Sequence, residues 1–507
     1  MEEDLRRLKE IGKEIILLDH IKAILTWDQE TYMPPNSIEE RSEQISFLEG
    51  LFHEKIINPE IGDLLSKLGV TQDNPEGRFD LEPIDRAYLR EFYRDHTRNI
   101  KLPERLVVEL AKESSVAQSV WVKARQNRDF KMFVPHLNKL VMLNREKAER
   151  LGYMDHPYDA LLDEFEPWMK TERVTEVFSG LQKGLKEIIE KIKEVPQVDD
   201  GFLLRDFPVE RQKEFGTMVL KEMGFDFDRG RLDVSAHPFT TTLGSDDVRL
   251  TSRYNKNFFK TGIFGIIHEG GHGLYELGFL KKIKGNILAM TASLGIHESQ
   301  SRIWENMIGR SHAFWQYYYP KLKDFFPESL GDISLNDFYR GINKVEPSHI
   351  RVEADEVTYS LHIILRFTLE TEIISGNLAV KDLPDAWNSK SEELLGIIPG
   401  DDSEGVLQDI HWSMGAIGYF PTYALGNLYG AQFYSALKGA QPELEKMLAC
   451  GDFSGVLNWL RENIHCHGRI YKAEELVKRV TGEELNPDYF IKYLKEKYSE
   501  VYGLSGF

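Results

Sequence analysis

The chain has 507 residues, of which 41% are hydrophobic and 29% charged, a composition typical of soluble, well-packed proteins. Its formal net charge of −19 argues against nucleic acid as a partner. No apolar stretch is long enough to span a bilayer, and the charged N-terminal segment does not resemble a secretory signal. Cys450 and Cys466 cannot form a disulfide framework, so we expect a cytoplasmic protein with no membrane partner.

Helical periodicity dominates the first half of the chain, where apolar residues recur every three or four positions with charged residues between them. The pattern predicts helices over residues 2–25, 38–56, 84–98, 103–127, 130–152, 172–194 and 208–223. Clusters of helix-breaking residues separate several of them, for example at 33–37 and 195–201. No repeat or low-complexity linker marks a domain boundary, so we predict a single domain over residues 1–507.

A different pattern occupies residues 237–254, which are rich in threonine and contain a Gly-Ser-Asp-Asp turn between two short extended runs. We interpret this segment as a small β-hairpin. An edge strand here would offer backbone groups to an extended peptide, as in many peptidases, although a purely structural hairpin has the same pattern. From residue 283 onward helical periodicity returns and continues to the C-terminus.

The sequence His268-Glu-Gly-Gly-His272 is an HExxH motif in a helical context. Residues four apart lie on one face of a helix, so both imidazoles can bind a single metal ion. Glu269 follows the first histidine, where its carboxylate can act as general base toward a metal-activated water. Four glycines within residues 265–273 each cost a helix about 1 kcal/mol relative to alanine. Their presence predicts that a substrate or a neighbouring backbone approaches closely.

Two histidines leave a zinc site one protein ligand short, and three glutamates are candidates. Glu298 lies in a predicted second helix, after enough residues for a loop and a return past the first helix. Glu276 is one turn beyond His272, about 6 Å along the same helix, a position that favours an outer partner of the ligands. Glu305 is two turns beyond Glu298 and is too far along the second helix if Glu298 is the ligand.

Six separated motifs extend the pattern over the C-terminal half of the chain. They are HPF at 237–239, DVRLT at 247–251, HEGGH at 268–272, HESQ at 297–300, IRVEAD at 350–355 and GVLQDIHW at 405–412. In this order they resemble the carboxypeptidase Taq family of zinc-dependent metallocarboxypeptidases, without departure within the motifs. Length and the helical N-terminal half also agree, so the resemblance covers the whole chain. It is far more specific than HExxH alone.

The resemblance implies a mainly helical, two-lobed fold with a deep central groove, similar to neurolysin-like and angiotensin-converting-enzyme-like peptidases, with the active-site region within 237–425. It also implies zinc bound by His268, His272 and Glu298, with Glu269 as general base. It further implies a homodimer that removes single residues from peptide C-termini. Imidazole and carboxylate ligands suit several divalent metals, so cobalt or manganese in place of zinc stays open.

An exopeptidase that acts at the C-terminus must bind a free carboxylate, and the planar guanidinium of arginine does so through two hydrogen bonds. Arg351 in the IRVEAD motif is the predicted contact, with Asp355, four residues later, as its partner on a helix. Arg249 in the DVRLT motif is the alternative. His237 of the HPF motif is also predicted to contact substrate.

Zinc peptidases need hydrogen-bond donors for the oxyanion that forms when water attacks the scissile carbonyl. In the related helical peptidases a histidine and a tyrosine serve this role, which predicts His411 and Tyr423 here. Tyr419 is close in sequence and is an alternative. Aromatic residues in such a stretch also commonly belong to the core.

The function predicted from these features is a cytoplasmic zinc carboxypeptidase that acts on peptides with a free C-terminus. An oligopeptidase or dipeptidyl carboxypeptidase would use the same chemistry with a longer pocket for the C-terminal side of the substrate. An inert helical scaffold with a structural zinc is a third hypothesis. An open coordination position and Glu269 argue against it, because structural zinc sites are closed and rich in thiolates.

Overall fold

The structure, a computed structural model, describes residues 1–505. Helices contain 66% of the residues and strands 3%, which confirms the predicted mainly helical fold. Buried hydrophobic side chains from Leu8 to Tyr502 form one connected cluster, so the core runs through both halves of the chain. None of the described helices is long and apolar enough to cross a membrane.

Nine α-helices lie within residues 1–229, before the first strand. They are α1 (Glu2–Thr31), α2 (Ile38–Ile56), α3 (Pro59–Lys67), α4 (Pro83–Ile100), α5 (Glu104–Asn127), α6 (Val134–Leu151), α7 (Pro157–Leu162), α8 (Thr171–Lys193) and α9 (Val209–Met223). The seven predicted helices are confirmed, with small differences at their ends. The short helices α3 and α7 were not predicted. Each begins with proline, after a residue (Asn58 or His156) whose side chain accepts a backbone N–H.

One three-stranded sheet precedes the HExxH helix. Its strands are β1 (Gly230–Val234), β2 (Thr240–Gly244) and β3 (Asp247–Ser252), in the order β1-β3-β2. The antiparallel pair β2–β3 confirms the predicted hairpin. Strand β1 pairs with β3 in parallel and was not predicted, because parallel pairing leaves no local hairpin signal in the sequence. Strand β2 lies at an edge of the sheet, beside the HExxH helix.

Twelve α-helices lie within residues 253–505. They are α10 (Phe259–Glu276), α11 (Leu294–Arg302), α12 (His312–Phe325), α13 (Pro327–Leu330), α14 (Leu335–Ile342), α15 (Tyr359–Ser375), α16 (Leu383–Leu395), α17 (Pro421–Ala440), α18 (Leu444–Ala449), α19 (Ser454–Asn463), α20 (Ala473–Thr481) and α21 (Asp488–Tyr502). A π-helical segment, Ile303–Ile308, continues α11. Turns and bends fill residues 281–290, so helix resumes at Leu294 rather than at 283.

Helices α10, α11 and α17 approach one another so closely that two contact points have room only for glycine. A Cβ on Gly271 of α10 would lie 2.7 Å from the carbonyl oxygen of Gln300 on α11. A Cβ on Gly426 of α17 would lie 2.4 Å from Cγ of Glu298. The close approach predicted around the HExxH motif is therefore, at Gly271, that of a neighbouring backbone. The same packing confines the Glu298 side chain.

Candidate metal centre and active site

The three predicted metal ligands lie together where α10 faces α11. His268 and His272 project from one face of α10, with their ring centroids 4.9 Å apart. Oε2 of Glu298 lies 3.4 Å from Nε2 of His272 and 3.6 Å from Nε2 of His268. One ligand atom from each residue falls within 4.8 Å of the other two. This spacing allows a single metal ion to contact all three side chains.

The chemistry of these donors fits a divalent metal ion. Burial lowers the pKa of His272 to about 3, which keeps this imidazole neutral and able to donate a lone pair. Burial by itself would raise the pKa of Glu298, but Arg302 and the two histidines outweigh it and hold that pKa well below its usual range. The carboxylate is therefore ionised. Two imidazoles and one carboxylate leave room for water or substrate, as catalytic sites require.

The second ring nitrogen of His268 is held by Glu305. Nδ1 of His268 lies 2.9 Å from Oε2 of Glu305, which belongs to the π-helical segment. The prediction that Glu305 lies too far along the helix to be the ligand agrees with the structure, whose candidate ligand group contains Glu298 and not Glu305. The contact of Glu305 with His268 was not predicted. The π-helical segment packs against α10, like α11 before it. Glu305 lies further along this path than Glu298, outside the ligand group, and its carboxylate therefore meets the side of the His268 ring that faces away from the ligand group. Arg302 hydrogen-bonds both Glu298 and Glu305, which orients ligand and outer partner together.

Glu276 lies one step further from the ligands. Its carboxylate bonds Nε2 of His297 at 2.9 Å and accepts a hydrogen bond from Thr242 of β2, also at 2.9 Å. The His297 ring stacks on the His272 ring, with centroids 4.3 Å apart and planes inclined by 19°. Glu276 therefore acts on the ligand imidazole through a stacked ring and not through a direct hydrogen bond.

This arrangement predicts graded metal loss in three alanine variants. We expect Glu298→Ala to lose its metal, because two imidazoles alone bind zinc poorly. Glu305→Ala should keep it with about 10- to 100-fold weaker affinity, since only the orientation of His268 is released. Glu276→Ala should change the affinity less, because its effect passes through His297. Metal analysis after dialysis against a mild chelator separates the three. Full zinc occupancy in Glu298→Ala would contradict its assignment as a ligand.

Glu269, the predicted general base, is buried beside the metal ligands and is held by the sheet. Its Oε2 accepts a hydrogen bond of 2.6 Å from the hydroxyl of Thr240, at the start of β2. Burial raises the pKa of Glu269, although His268 and the Thr240 hydroxyl oppose this effect. A raised pKa makes the carboxylate a better proton acceptor, and the Thr240 contact limits its rotation.

Arg351 lies in a buried cluster of two arginines and one aspartate. Its Nε and one terminal nitrogen donate to Oδ1 of Asp409 at 2.9 and 2.7 Å, and the other terminal nitrogen donates to the Tyr359 hydroxyl at 2.9 Å. Arg366 of α15, fully buried, donates to Oδ2 of the same aspartate at 2.7 Å. The guanidinium of Arg351 also lies 4.9 Å from the ring centre of Tyr423.

The predicted pairing of Arg351 with Asp355 is wrong. Arg351 lies in a short 3₁₀ helix that ends at Glu353, so the two residues are not one α-helical turn apart on a common face. Asp355 instead accepts backbone hydrogen bonds from Val357 and Thr358, just before α15. The aspartate that orients Arg351 is Asp409, from a segment more than fifty residues further along the chain.

His411 and Tyr423 are in direct contact near this cluster. Nε2 of His411 lies 3.1 Å from the hydroxyl of Tyr423. The Tyr419 ring centroid lies 5.3 Å from both of their rings, so all three aromatic candidates are neighbours. Burial, together with the charges of Arg351 and Arg366, lowers the pKa of His411 to about 3, although Asp409 opposes this effect. His411 is therefore neutral at physiological pH and carries a single N–H donor.

Arg249 and His237 occupy other positions. Arg249 on β3 forms a two-point ion pair with Asp247 and lies over the Trp27 ring of α1, 4.2 Å from its centre. Side chains alternate along a strand, so Arg249 lies on the face turned away from α10, opposite to Leu250. His237 is exposed in the turn before β2, and its carbonyl accepts a hydrogen bond from Ser235. These contacts place neither residue with Arg351.

Several residues of the site were not singled out from the sequence. Asp409 lies inside the GVLQDIHW motif and Thr240 directly follows HPF, so both had a signal beside them. Arg302 lies four residues after Glu298 on one helix face, a spacing that can be read from sequence. Arg366 had no local signal, because only the folding of α15 against the 405–412 segment brings it to Asp409.

In this helical fold two histidines and a glutamate surround one point, and a second buried glutamate lies beside them. This arrangement defines a metallopeptidase. The model of the carboxypeptidase Taq (M32) metallopeptidase family matches residues 7–498. The chain belongs to this family and is a metallocarboxypeptidase, which requires a divalent metal.

Individual relatives are similar to this chain over nearly their whole length. Thermostable carboxypeptidase 1 of Thermus thermophilus is 42% identical over 98% of this chain and 99% of its own. Carboxypeptidase 1 of Bacillus subtilis is 42% identical over 95% of each chain. The crystal structure of the M32 carboxypeptidase from Deinococcus radiodurans R1 has a TM-score of 0.95 and 38% identity, covering 99% of this chain and 100% of that one.

Proposed function

We propose that the protein is a zinc-dependent carboxypeptidase that removes single residues from the C-termini of peptides. Two histidines and one glutamate form a ligand set of catalytic zinc sites, which supports zinc, with cobalt as a possible substitute. The proposal covers the general base Glu269, the carboxylate contact Arg351 and the oxyanion donors His411 and Tyr423.

The observation that carries the proposal is a buried excess of positive charge beside the candidate oxyanion donors. Arg351 and Arg366 share one carboxylate, that of Asp409. Burial lowers the pKa of Arg366 only to about 10, so both guanidiniums are charged at neutral pH. A buried charge is unfavourable unless it is paired. The terminal carboxylate of a peptide would supply the missing negative charge, and the amide of an internal peptide bond would not.

The chemistry then follows from the positions of the side chains. His268, His272 and Glu298 would hold a divalent metal ion, which would supply Lewis-acid polarisation and lower the pKa of a water. Glu269 takes the proton of the attacking water and passes it to the leaving amine. Tyr423 and neutral His411 donate hydrogen bonds to the developing oxyanion. The edge position of β2 supports a further role, that of binding extended substrate through backbone hydrogen bonds.

Product analysis with three matched peptides tests the proposal. They share one sequence and carry a free C-terminus, a C-terminal amide, or a free C-terminus with a blocked N-terminus. We expect the two acids to lose single residues in turn from the C-terminus and the amide to resist. Release of dipeptides would favour the dipeptidyl carboxypeptidase alternative, and internal cleavage of the amide would favour an oligopeptidase. Chelator treatment should abolish hydrolysis, and zinc should restore it.

Two further expectations concern the protein as a whole. The homodimer implied by the family resemblance stays a prediction, which the molar mass in solution tests. The cytoplasmic location also stays a prediction. Both cysteines are free thiols, Cys450 exposed and Cys466 half-buried, which supports a reducing compartment.

A further inference from the structure

The segment that carries the candidate oxyanion donors is irregular over much of its length. It runs from His411 to Tyr423 and contains one 3₁₀ turn followed by two glycines, Gly415 and Gly418, with φ of +71° and +101°. Regular helix begins only at Pro421, the first residue of α17. The backbone hydrogen bonds within the segment form two local groups, one over residues 411–417 and one from Tyr419 onward, and none of those described crosses Gly418. Contacts from outside the segment therefore help to set the position of His411 relative to Tyr423.

One buried carboxylate contacts this segment on both sides of its turn. Oε1 of Glu370 accepts a 2.8 Å hydrogen bond from the indole N–H of Trp412, the residue after His411. Oε2 accepts a 3.1 Å bond from the backbone N–H of Gly418 and a 2.6 Å bond from the hydroxyl of Tyr158 on α7. Glu370 is fully buried on α15.

The groups that Glu370 holds are also seated by packing. Trp412 meets Trp387 of α16 edge to face, with ring centroids 6.0 Å apart. A Cβ on Gly418 would lie 2.8 Å from the backbone of Leu161 on α7, so the chain is pressed against that helix here. Packing limits how far these groups can move, and the carboxylate selects the one arrangement in which both N–H groups are satisfied.

A buried carboxylate is an unfavourable choice for packing alone. An apolar side chain of similar size would fill the space without the desolvation cost of the acid. The donors arrive from α7, from the residue after His411 and from the residue before Tyr419. Two of the three therefore come from the segment that carries the oxyanion candidates, which connects the burial of Glu370 with the geometry of the site.

We propose that Glu370 is a positioning residue, which holds the 411–423 segment so that His411 and Tyr423 converge on the oxyanion. This inference rests on the proposed function, because it assigns Glu370 a role through those two donors. Glu370 contacts neither of them directly, so its contribution should appear in kcat and leave metal binding unchanged.

Glu370→Gln is the sharpest test, because the amide keeps the volume and removes one acceptor. Whichever way the amide is turned, its NH₂ group meets Trp412 or Gly418, so one buried N–H loses its acceptor. We expect kcat to fall at least about 10-fold, with KM and metal content within about twofold of wild type.

A double-mutant cycle distinguishes positioning from general destabilisation. In a Tyr423→Phe background one of the two donors positioned by Glu370 is already gone, so Glu370→Gln should lower kcat by a smaller factor than it does in the wild-type background. The same factor in both backgrounds would overturn the inference, as would a Glu370→Gln variant that folds with wild-type kcat. Wild-type kcat in Tyr423→Phe and in His411→Ala would instead show that the proposed oxyanion role is wrong.

Two further variants keep the test informative. Tyr158→Phe is the matched control, since it removes the one donor that lies outside the segment and leaves both bonds to Trp412 and Gly418. It should keep kcat within about twofold of wild type, because both segment bonds remain. Trp412→Phe removes only the indole donor and repeats the test if Glu370→Gln fails to fold. A kcat loss in Tyr158→Phe as large as that in Glu370→Gln would refute positioning through the segment.

Discussion

Replacing Glu269 with glutamine is expected to lower kcat by about 10²- to 10⁴-fold while the metal stays bound. The amide has nearly the same size and can still accept the hydrogen bond from Thr240, so the local structure should persist. It cannot take a proton from water, which is the step assigned to Glu269. Metal content should equal that of wild type, because Glu269 is not one of the three candidate ligands.

The measurement is kcat on an unblocked peptide, together with zinc analysis of the same sample. Glu222→Gln serves as a control, since this half-exposed carboxylate on α9 pairs with Lys321 and lies outside the site. Near-normal turnover in Glu269→Gln with metal bound would remove Glu269 from the role of base. Loss of metal in this variant would mean that the ligand assignment is incomplete.

Replacing Arg351 with alanine should sharply reduce kcat/KM for peptides with a free C-terminus. A buried, charge-assisted contact is worth on the order of 2–5 kcal/mol once one partner is removed, or roughly 30- to 4000-fold. The same variant should discriminate poorly between an acid and its amide, because the group that distinguishes them is gone. The decisive quantity is the acid-to-amide ratio of kcat/KM in wild type and variant.

This ratio corrects for structural damage, which matters because Arg351 also packs on Tyr423. A general loss of structure lowers kcat/KM for both substrates equally, whereas loss of carboxylate recognition lowers it for the acid alone. Arg351→Lys should restore only part of the preference, since a single ammonium cannot reproduce two parallel hydrogen bonds. A wild-type preference that persists in Arg351→Ala would exclude this role.

Much of the fold could be predicted because helix formation is largely local. The period of apolar residues indicated α1, α2, α4, α5, α6, α8 and α9, and proline or glycine clusters marked several of their ends. The β2–β3 hairpin was visible for the same reason, since its strands are joined by a short turn. Strand β1 was not predicted, because parallel partners are separated in sequence. Neither strand has a local sequence pattern that indicates its neighbour in the sheet.

The residues of the site also fall into those that the sequence could predict and those that it could not. The spacing of His268 and His272 determines by itself that both imidazoles share a face, because the helical repeat is a property of the local backbone. The motifs supplied Glu298, Arg351 and His411 as candidates, and the resemblance to related helical peptidases supplied Tyr423, but neither gave the partners of these residues. Which carboxylate orients Arg351 was decided by tertiary structure, and the nearby Asp355 was the wrong choice.

The sequence alone thus determined the seven longer helices of the first half, the β2–β3 hairpin, the helix face that carries the two histidines and the resemblance to the family. Only the tertiary structure decided that Glu305 supports His268, that Thr240 holds Glu269, and that Asp409 joins Arg351 to Arg366. The physical reason is that a hydrogen bond depends on distances of about 3 Å between side chains remote in sequence. Those distances depend on how closely helices pack, as at Gly271 and Gly426. They cannot be predicted from any local sequence pattern.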